Sequence, residues 1–254
     1  MTREAVILAG GQGTRLRPVT LEIPKPLIPV QGRPILSWLV RLFRRHGFSR
    51  VTVIYAPQWR FQFERWRTDV LQDDGRRQDD ARSGMEVALY EEREPRGTMG
   101  ALVHELEFGD RPLVVTNGDE LKGLDVGRLV AFHESQREMQ PTIGATIALV
   151  HVPNPSEYGV AEIDGPRIIR FHEKPSDPPT SLISSGLYVI EPAALREARE
   201  GSCSSSSNFL MFEKDLFPRL ARQGQLVGCE LSGAWHDCGT LERWESAILN
   251  WREA

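Results

Sequence analysis

Leu8-Ala9-Gly10-Gly11-Gln12-Gly13-Thr14-Arg15-Leu16-Arg17-Pro18 follows the apolar run that starts at Ala5, and so reads as a buried strand opening into a glycine-rich turn. Without Cβ atoms in the way, backbone N–H groups on such a turn can converge on phosphate oxygens. A Rossmann fingerprint would need a third glycine where Leu16 stands, and a Walker loop would need Gly-Lys-Ser/Thr, so neither fits. Arg15 places a cation inside the loop. A lone glycine pair would read as a tight turn; three glycines with an embedded arginine point to an anionic ligand. Leu8, Ala9, Gly10, Gly11, Gly13, Thr14 and Arg15 are therefore phosphate-binding candidates. Downstream, Ile23-Pro24-Lys25-Pro26-Leu27 sets Lys25 between two prolines, which restrict the backbone and fix where the amine points.

Outward from this loop the first half alternates short strands with amphipathic helices. Pro34 opens a helix whose stripe is Ile35, Leu36, Leu39, Leu42 and Phe43, closed by Gly47. Strands are expected at Val51 to Tyr55, Met85 to Tyr90 and Pro112 to Thr116, and helices at Phe61 to Leu71 and Thr98 to Leu106, with a surface loop over Gln72 to Gly84. Such alternation predicts a Rossmann-like α/β fold, its mostly parallel sheet flanked by helices.

The second half reads differently and predicts a β-rich insertion. Asp125 caps a helix to about Glu138, Thr142 to Val150 is a strand, and Asp164-Gly165 joins two short strands as a hairpin. Leu182 to Ile190 is a long strand, Ser202 to Ser207 a flexible connector, and Phe209 to Arg222 helical apart from Pro218. Leu241, Trp244, Ile248 and Trp251 form a helical stripe that suits a core or a subunit interface. The chain reads as a single catalytic domain, residues 1–254, with halves of about 1–125 and 126–254.

Bulk properties narrow the function. A net charge of -4 argues against a nucleic-acid binder, yet leaves room for a small anionic substrate met by local cations. Cys203, Cys229 and Cys238 are odd in number and form no CxxC pair, which suits a reducing cytoplasm and offers no zinc framework. The apolar run at the N-terminus is too short for a signal peptide or a membrane span.

The run LAGGQGTRLRPVTLEIPKPLIPVQGRPIL resembles the signature of the sugar-1-phosphate nucleotidyltransferases, the nucleotide-sugar pyrophosphorylases. Further segments match in family order: Arg96-Gly97-Thr98 with Gly100, Asn117-Gly118-Asp119, Glu157-Tyr158-Gly159-Val160, Glu173-Lys174-Pro175, Ser185-Gly186-Leu187-Tyr188, and Trp235-His236-Asp237-Cys238-Gly239-Thr240. The pattern is most similar to the mannose- and heptose-1-phosphate guanylyltransferase-like branch.

The resemblance implies in-line attack of a sugar 1-phosphate on a nucleoside triphosphate, with pyrophosphate leaving. Two anions must meet, and each unit-charge repulsion at contact costs about 4 kcal/mol at an effective dielectric of 20. Preplaced cations are needed rather than a strong base. Arg15 and Lys25 then face the triphosphate, with Asn117 and Gly118 beside the nucleotide and Gly97 and Thr98 against the base. Asp119 and Asp237 hold Mg²⁺; without the family motifs they would read as a turn cap and a helix cap. Lys174 takes the sugar phosphate, Glu173 a sugar hydroxyl, and Tyr158, Gly159 and Gly186 approach the sugar. Glu92 or Glu94 could accept hydrogen bonds from a guanine edge, although glutamates in such a run are more often solvated. Serine at position 184, where the family often has asparagine, puts sugar contacts there in doubt, and Cys238 reads as a packing change.

Expected substrates are GTP with a mannose- or heptose-type 1-phosphate. The alternatives are dTTP, UTP or CTP, a phosphocholine-type acceptor, or a non-catalytic sensor subunit of the same fold. Homo-oligomers are common in the family, and the chain ends too soon after its last helix for a C-terminal β-helix domain.

Overall fold

The computed structural model describes residues 3–76, 84–203 and 209–253. Its elements begin with β1 (Glu4–Leu8), β2 (Pro29–Val30), β3 (Arg33–Pro34), α1 (Ile35–Arg45), β4 (Arg50–Tyr55), α2 (Arg60–Arg76) and β5 (Glu86–Glu91). They continue with α3 (Gly97–His104), β6 (Leu113–Asn117), β7 (Glu120–Gly123), α4 (Val126–Met139), β8 (Ala145–His151), β9 (Gly159–Asp164) and β10 (Arg167–Glu173). The chain finishes with β11 (Leu182–Ile190), α5 (Pro192–Cys203), α6 (Phe217–Arg222), β12 (Leu226–Glu230), β13 (Ala234–Asp237) and α7 (Leu241–Asn250).

These elements fall into two units. The first comprises 1–95, 116–126 and 233–254; the second comprises 96–115 and 127–232. The halves expected at about 1–125 and 126–254 differ from these units in two stretches, since 96–115 falls in the second unit and 233–254 in the first.

In the first unit β1 pairs in parallel with β4, and β4 in parallel with β5, in unbroken register. Ala5, Val6, Ile7, Val51, Val53 and Ile54 are buried there, as a sheet covered on both faces requires. Helix α1 buries the stripe read from the sequence, Ile35, Leu36, Leu39, Leu42 and Phe43. The C-terminal residues of the chain lock onto it and onto the turn before it: Arg41 donates to both Glu253 carboxylate oxygens through its Nε and Nη2, and Gln31 donates to the Trp251 carbonyl.

The second unit follows other rules. Five of its strands pair in the order β11-β8-β12-β10-β9, and β9 returns to β11 through the pair Val160 and Ile183. The β9–β10 hairpin has the expected place, but the residues between its strands are Gly165 and Pro166, with Gly165 at φ +56°. Strand β11 is buried throughout and carries a bulge between Ser184 and Tyr188, where Gly186 takes φ +64°.

Several expectations need correction. Helix α2 continues to Arg76, so the first part of the loop expected over Gln72 to Gly84 is helical; residues 77–83 lie outside the described residues. Ser202 belongs to α5, while Ser204 to Ser207 lie outside the described residues. Helix from Phe209 begins instead at Phe212 as a π-turn through Leu216, because Asp215 Oδ2 and the Met211 N–H bond each other at its start. Trp251, whose stripe suited a core or a subunit interface, is core: it is 1% exposed and packs edge-on against Trp38.

Trp251 is held by packing, its indole N–H having no hydrogen-bond partner among the described residues. Trp251→Ala should therefore cost about 3–5 kcal/mol of stability, the usual loss for emptying a tryptophan-sized core site. Urea unfolding checks this, and a loss within measurement error would show that the residue is not core.

Candidate active site

Site geometry in the first unit starts where β1 ends. The Ala9 N–H bonds the Ile54 carbonyl at 2.7 Å and the Gly118 N–H bonds the Leu8 carbonyl at 2.8 Å, which ties the glycine loop to the 117–119 turn. A Cβ on Gly118 would lie 2.8 Å from the Leu8 carbonyl oxygen, so this approach admits glycine only. Gly13 has φ +61°, and its carbonyl accepts from the Leu16 N–H and the Thr20 hydroxyl. A Cβ there would stand 2.8 Å from Thr20 Cγ2 and 3.3 Å from Lys25 Cβ. The loop is thus folded down onto the lysine segment. Gly11, Gln12, Thr14 and Arg15 remain exposed along it.

Lys25 opens a 3₁₀ turn after the extended Pro24, as the flanking prolines dictate, and is only 6% exposed. Its Nζ donates to Asp119 Oδ2 at 2.6 Å and lies 3.6 Å from Asp237 Oδ1. Burial alone would lower the ammonium pKa, but the charges of Asp119 and Asp237 outweigh it and hold the pKa above the usual 10.5. Burial likewise acts to raise the Asp119 carboxyl, and the Lys25 charge and hydrogen bond overcome it, so the pKa falls below 3.8. Lys25 and Asp119 are both charged at neutral pH.

Asp237 ends β13 and also accepts from Arg243 Nη1 at 2.7 Å. A Cβ on Gly239 would meet Asp237 Oδ1 at 2.8 Å and Arg15 Nη2 at 3.0 Å, so the Arg15 guanidinium reaches this same carboxylate region. Arg15, Lys25, Asp119 and Asp237 therefore converge within one unit. The two aspartates offer hard oxygen donors around one point. Among the described residues no group of three or more His, Cys, Asp or Glu gathers as a metal cage. Mg²⁺ is compatible with that, since it commonly takes one or two carboxylates and fills its shell with phosphate oxygens and water.

Around these four lie residues the sequence reading did not single out. Arg243 is one. Glu120 and Lys122 are two more: the Lys122 side chain is fully buried, with Nζ 2.8 Å from Glu120 Oε2. Burial, opposed by Lys122, pushes the Glu120 carboxyl above its usual range. The acidic run resolves as well. Glu91 pairs with Arg60 at 2.6 Å, whereas Glu92 Oε2 lies 3.1 Å from where a Cβ on Gly10 would stand. Cys238 is buried in this region and its thiol is pushed up to about 12, mainly by burial.

The second unit holds the remaining candidates. Gly97 has φ +80°, and a Cβ there would collide with the Leu210 carbonyl oxygen at 2.3 Å. The Thr98 hydroxyl accepts from the Phe212 N–H and donates to Glu213 Oε2 at 2.8 Å, so it is engaged with the 210–213 segment. Glu213 was not foreseen. Burial raises its pKa, partly offset by backbone and Thr98 hydrogen bonds. Lys174 has φ +48°, and its exposed Nζ lies 3.2 Å from Glu173 Oε1. The Tyr158 carbonyl accepts from the Lys174 N–H. At Gly159 a Cβ would meet the Phe171 ring at 2.3 Å, and at position 184 the serine hydroxyl donates to Tyr188 and accepts from the Gly186 N–H.

Comparison with known proteins gives a consistent picture. A family model described as nucleotidyl transferase matches residues 4–253. The chain is 36% identical over 242 residues to a mannose-1-phosphate guanylyltransferase catalytic subunit beta of Danio rerio, covering 93% of this chain and 61% of that protein. It is 32% identical over 245 residues to a mannose-1-phosphate guanylyltransferase of Mycobacterium tuberculosis, covering 94% and 62%. The chain thus spans about three fifths of the length of the curated relatives it matches. In fold it is similar to a Bacillus anthracis protein described as a glucose-1-phosphate thymidylyltransferase and solved with a sucrose. That match has a TM-score of 0.79 and 23% identity, and covers 98% of this chain and 94% of that one. Among the described residues no helix is long and apolar enough to cross a membrane.

Two outcomes follow from the electrostatics. Because a thiol pushed up to about 12 holds almost no thiolate at pH 8, the folded protein should leave Cys238 unlabelled by iodoacetamide while urea-unfolded chain is labelled. Labelling of Cys238 in the folded state, read by mass spectrometry, would contradict the burial. A depressed Asp119 pKa contributes stability that is present above 3.8 and lost as pH falls through the folded value. The stability gap between wild type and Asp119→Asn should thus hold near neutrality and close as the pH is taken below 3.8. A gap unchanged in acid would show that Asp119 is not a charged partner of Lys25.

Proposed function

As the chain belongs to the nucleotidyl transferase family, we propose that it condenses GTP with a mannose-type 1-phosphate, releasing pyrophosphate and forming a nucleotide-sugar. The observation that carries this reading is the convergence of Lys25, Asp119, Asp237 and Arg15 in one unit. The reaction brings a phosphate ester against the α-phosphorus of a triphosphate. The sugar phosphate is already ionised at neutral pH, so no base is required. What must be supplied is positive charge fixed before the substrates arrive, where it costs no reorganisation during the reaction.

Lys25 suits that role because it is buried, charged at neutral pH and held in place by two carboxylates. Arg15, on the exposed glycine loop, would meet the triphosphate, whose remaining oxygens take backbone N–H groups of the loop. Asp119 and Asp237 would hold Mg²⁺, which when bound neutralises phosphate charge. Lys174 is assigned to the sugar phosphate and Glu173 to a sugar hydroxyl. Glu92, set near Gly10, is the acid that could accept from the N–H groups of a guanine edge, and the names of the relatives support guanine and mannose together. Cys229 and Cys238 are buried as thiols, which suits a reducing cytoplasm.

A coupled pyrophosphate assay over the nucleoside triphosphates and a panel of sugar 1-phosphates tests the reading. GTP with mannose 1-phosphate should give the highest kcat/KM, and no release with any pair would refute an enzymatic role. Lys25→Ala should lower kcat by about 10²–10³-fold with folding intact, the usual loss for one preorganised charge-stabilising donor. An unchanged kcat would remove Lys25 from the reaction.

A further inference from the structure

The proposed reaction uses Asp119 and Asp237 but says nothing of the buried ion pair beside them. Strand β7 runs antiparallel to β13, with Glu120 opposite Asp237 and Lys122 opposite Trp235. Side chains alternate faces along a strand, so Glu120, Lys122, Trp235 and Asp237 share one face of this ribbon and Leu121 and His236 the other. On the shared face Glu120 accepts three donors. Lys122 Nζ reaches Oε2 at 2.8 Å, the Trp235 indole N–H reaches Oε2 at 3.2 Å, and the Asn117 amide reaches Oε1 at 3.1 Å. Lys122 Nζ also lies 3.5 Å from the Asn117 carbonyl oxygen.

These bonds reach three backbone segments. Asn117 ends β6, Glu120 opens β7, and Trp235 lies in β13. Asp119 sits in the turn between Asn117 and Glu120, whose side chains are bonded to each other, so the turn is clamped across its base. Asp237 lies two residues beyond Trp235 on the strand that the same carboxylate holds. One carboxylate is thereby bonded to both segments that carry the aspartates. Removing an ion pair of this kind from water is costly, and apolar replacements of similar volume often leave stability unchanged or improved. Net stability is thus a poor account of it, whereas its geometry bears directly on the two metal carboxylates.

We propose that Glu120 and Lys122 are positioning residues for the divalent ion: Glu120 sets the spacing of Asp119 and Asp237 through Asn117 and Trp235. Lys122 keeps the Glu120 carboxylate engaged, so it does not act as a third ligand. Partners behind a metal ligand commonly govern affinity in this way. The inference rests on the assignment of Asp119 and Asp237 to Mg²⁺.

The test combines Glu120→Met with Lys122→Met in the full chain. Mn²⁺ binding is followed by electron paramagnetic resonance with GTP present, alongside urea unfolding and steady-state kinetics. The double variant should unfold at the wild-type midpoint, yet lose about 10–100-fold in Mn²⁺ affinity and in kcat, with little change in KM for mannose 1-phosphate. A folded double variant with wild-type Mn²⁺ affinity would overturn the proposal. Should the double variant fail to fold, Trp235→Phe removes the indole bond to Glu120 while keeping an aromatic ring, and weaker Mn²⁺ binding is expected; wild-type binding there is equally fatal. Asp119→Asn is measured in parallel. Full Mn²⁺ binding by that variant would sink the metal assignment itself, whereas its loss beside a fully binding double variant would sink only the positioning role.

Discussion

A buried ammonium held between two carboxylates is the constraint on which the rest of the first unit depends. Lys25 cannot sit 2.6 Å from Asp119 and within reach of Asp237 unless three separate segments are brought together. Prolines fix the first, the tight approach of Gly118 to Leu8 fixes the second, and pairing of β13 with β7 fixes the third. Each has its own local cause, and the charge pairing makes them interdependent. In a low-dielectric setting a lone buried ammonium would shed its proton, and a lone buried carboxyl would take one up. Together they stay charged, and a charged, immobile site is what transfer between two phosphate esters needs.

The second unit shows close backbone packing at its own candidate residues. Gly97 lies so tightly on the Leu210 carbonyl that no side chain fits, and Thr98 closes the same contact through Phe212 and Glu213. The segment expected to lie against a base is therefore anchored by residues far along the chain.

Much of the first unit was legible because its determinants are contiguous. The glycine loop, the Pro-Lys-Pro segment and the α1 stripe each declare themselves within a few residues; in the second unit β11 was bounded correctly because apolar pairs, Leu182-Ile183 and Val189-Ile190, mark its ends. What escaped depends on distant pairing. Trp235 meets Glu120 and Thr98 meets Glu213 across 115 positions in each case, and no local periodicity reports that. Short β7 and β13 carry too few residues for an alternation signal, which hid the ribbon that orients both aspartates. Trp251 stayed open between core and interface for a related reason: helical spacing gives a stripe, but only its partner Trp38 shows that this member is covered while Leu241 and Ile248 are exposed. The π-turn at Phe212 escaped because apolar spacing cannot tell it from an α-helical turn.

A crystal grown with Mn²⁺ and a non-hydrolysable GTP analogue would test the central claim most directly, through the anomalous signal of the metal. The account requires the peak to be bound by Asp119 and Asp237, with the Lys25 amine and the Arg15 guanidinium on phosphate oxygens. A metal peak remote from both aspartates, or phosphates that leave Lys25 untouched, would contradict it.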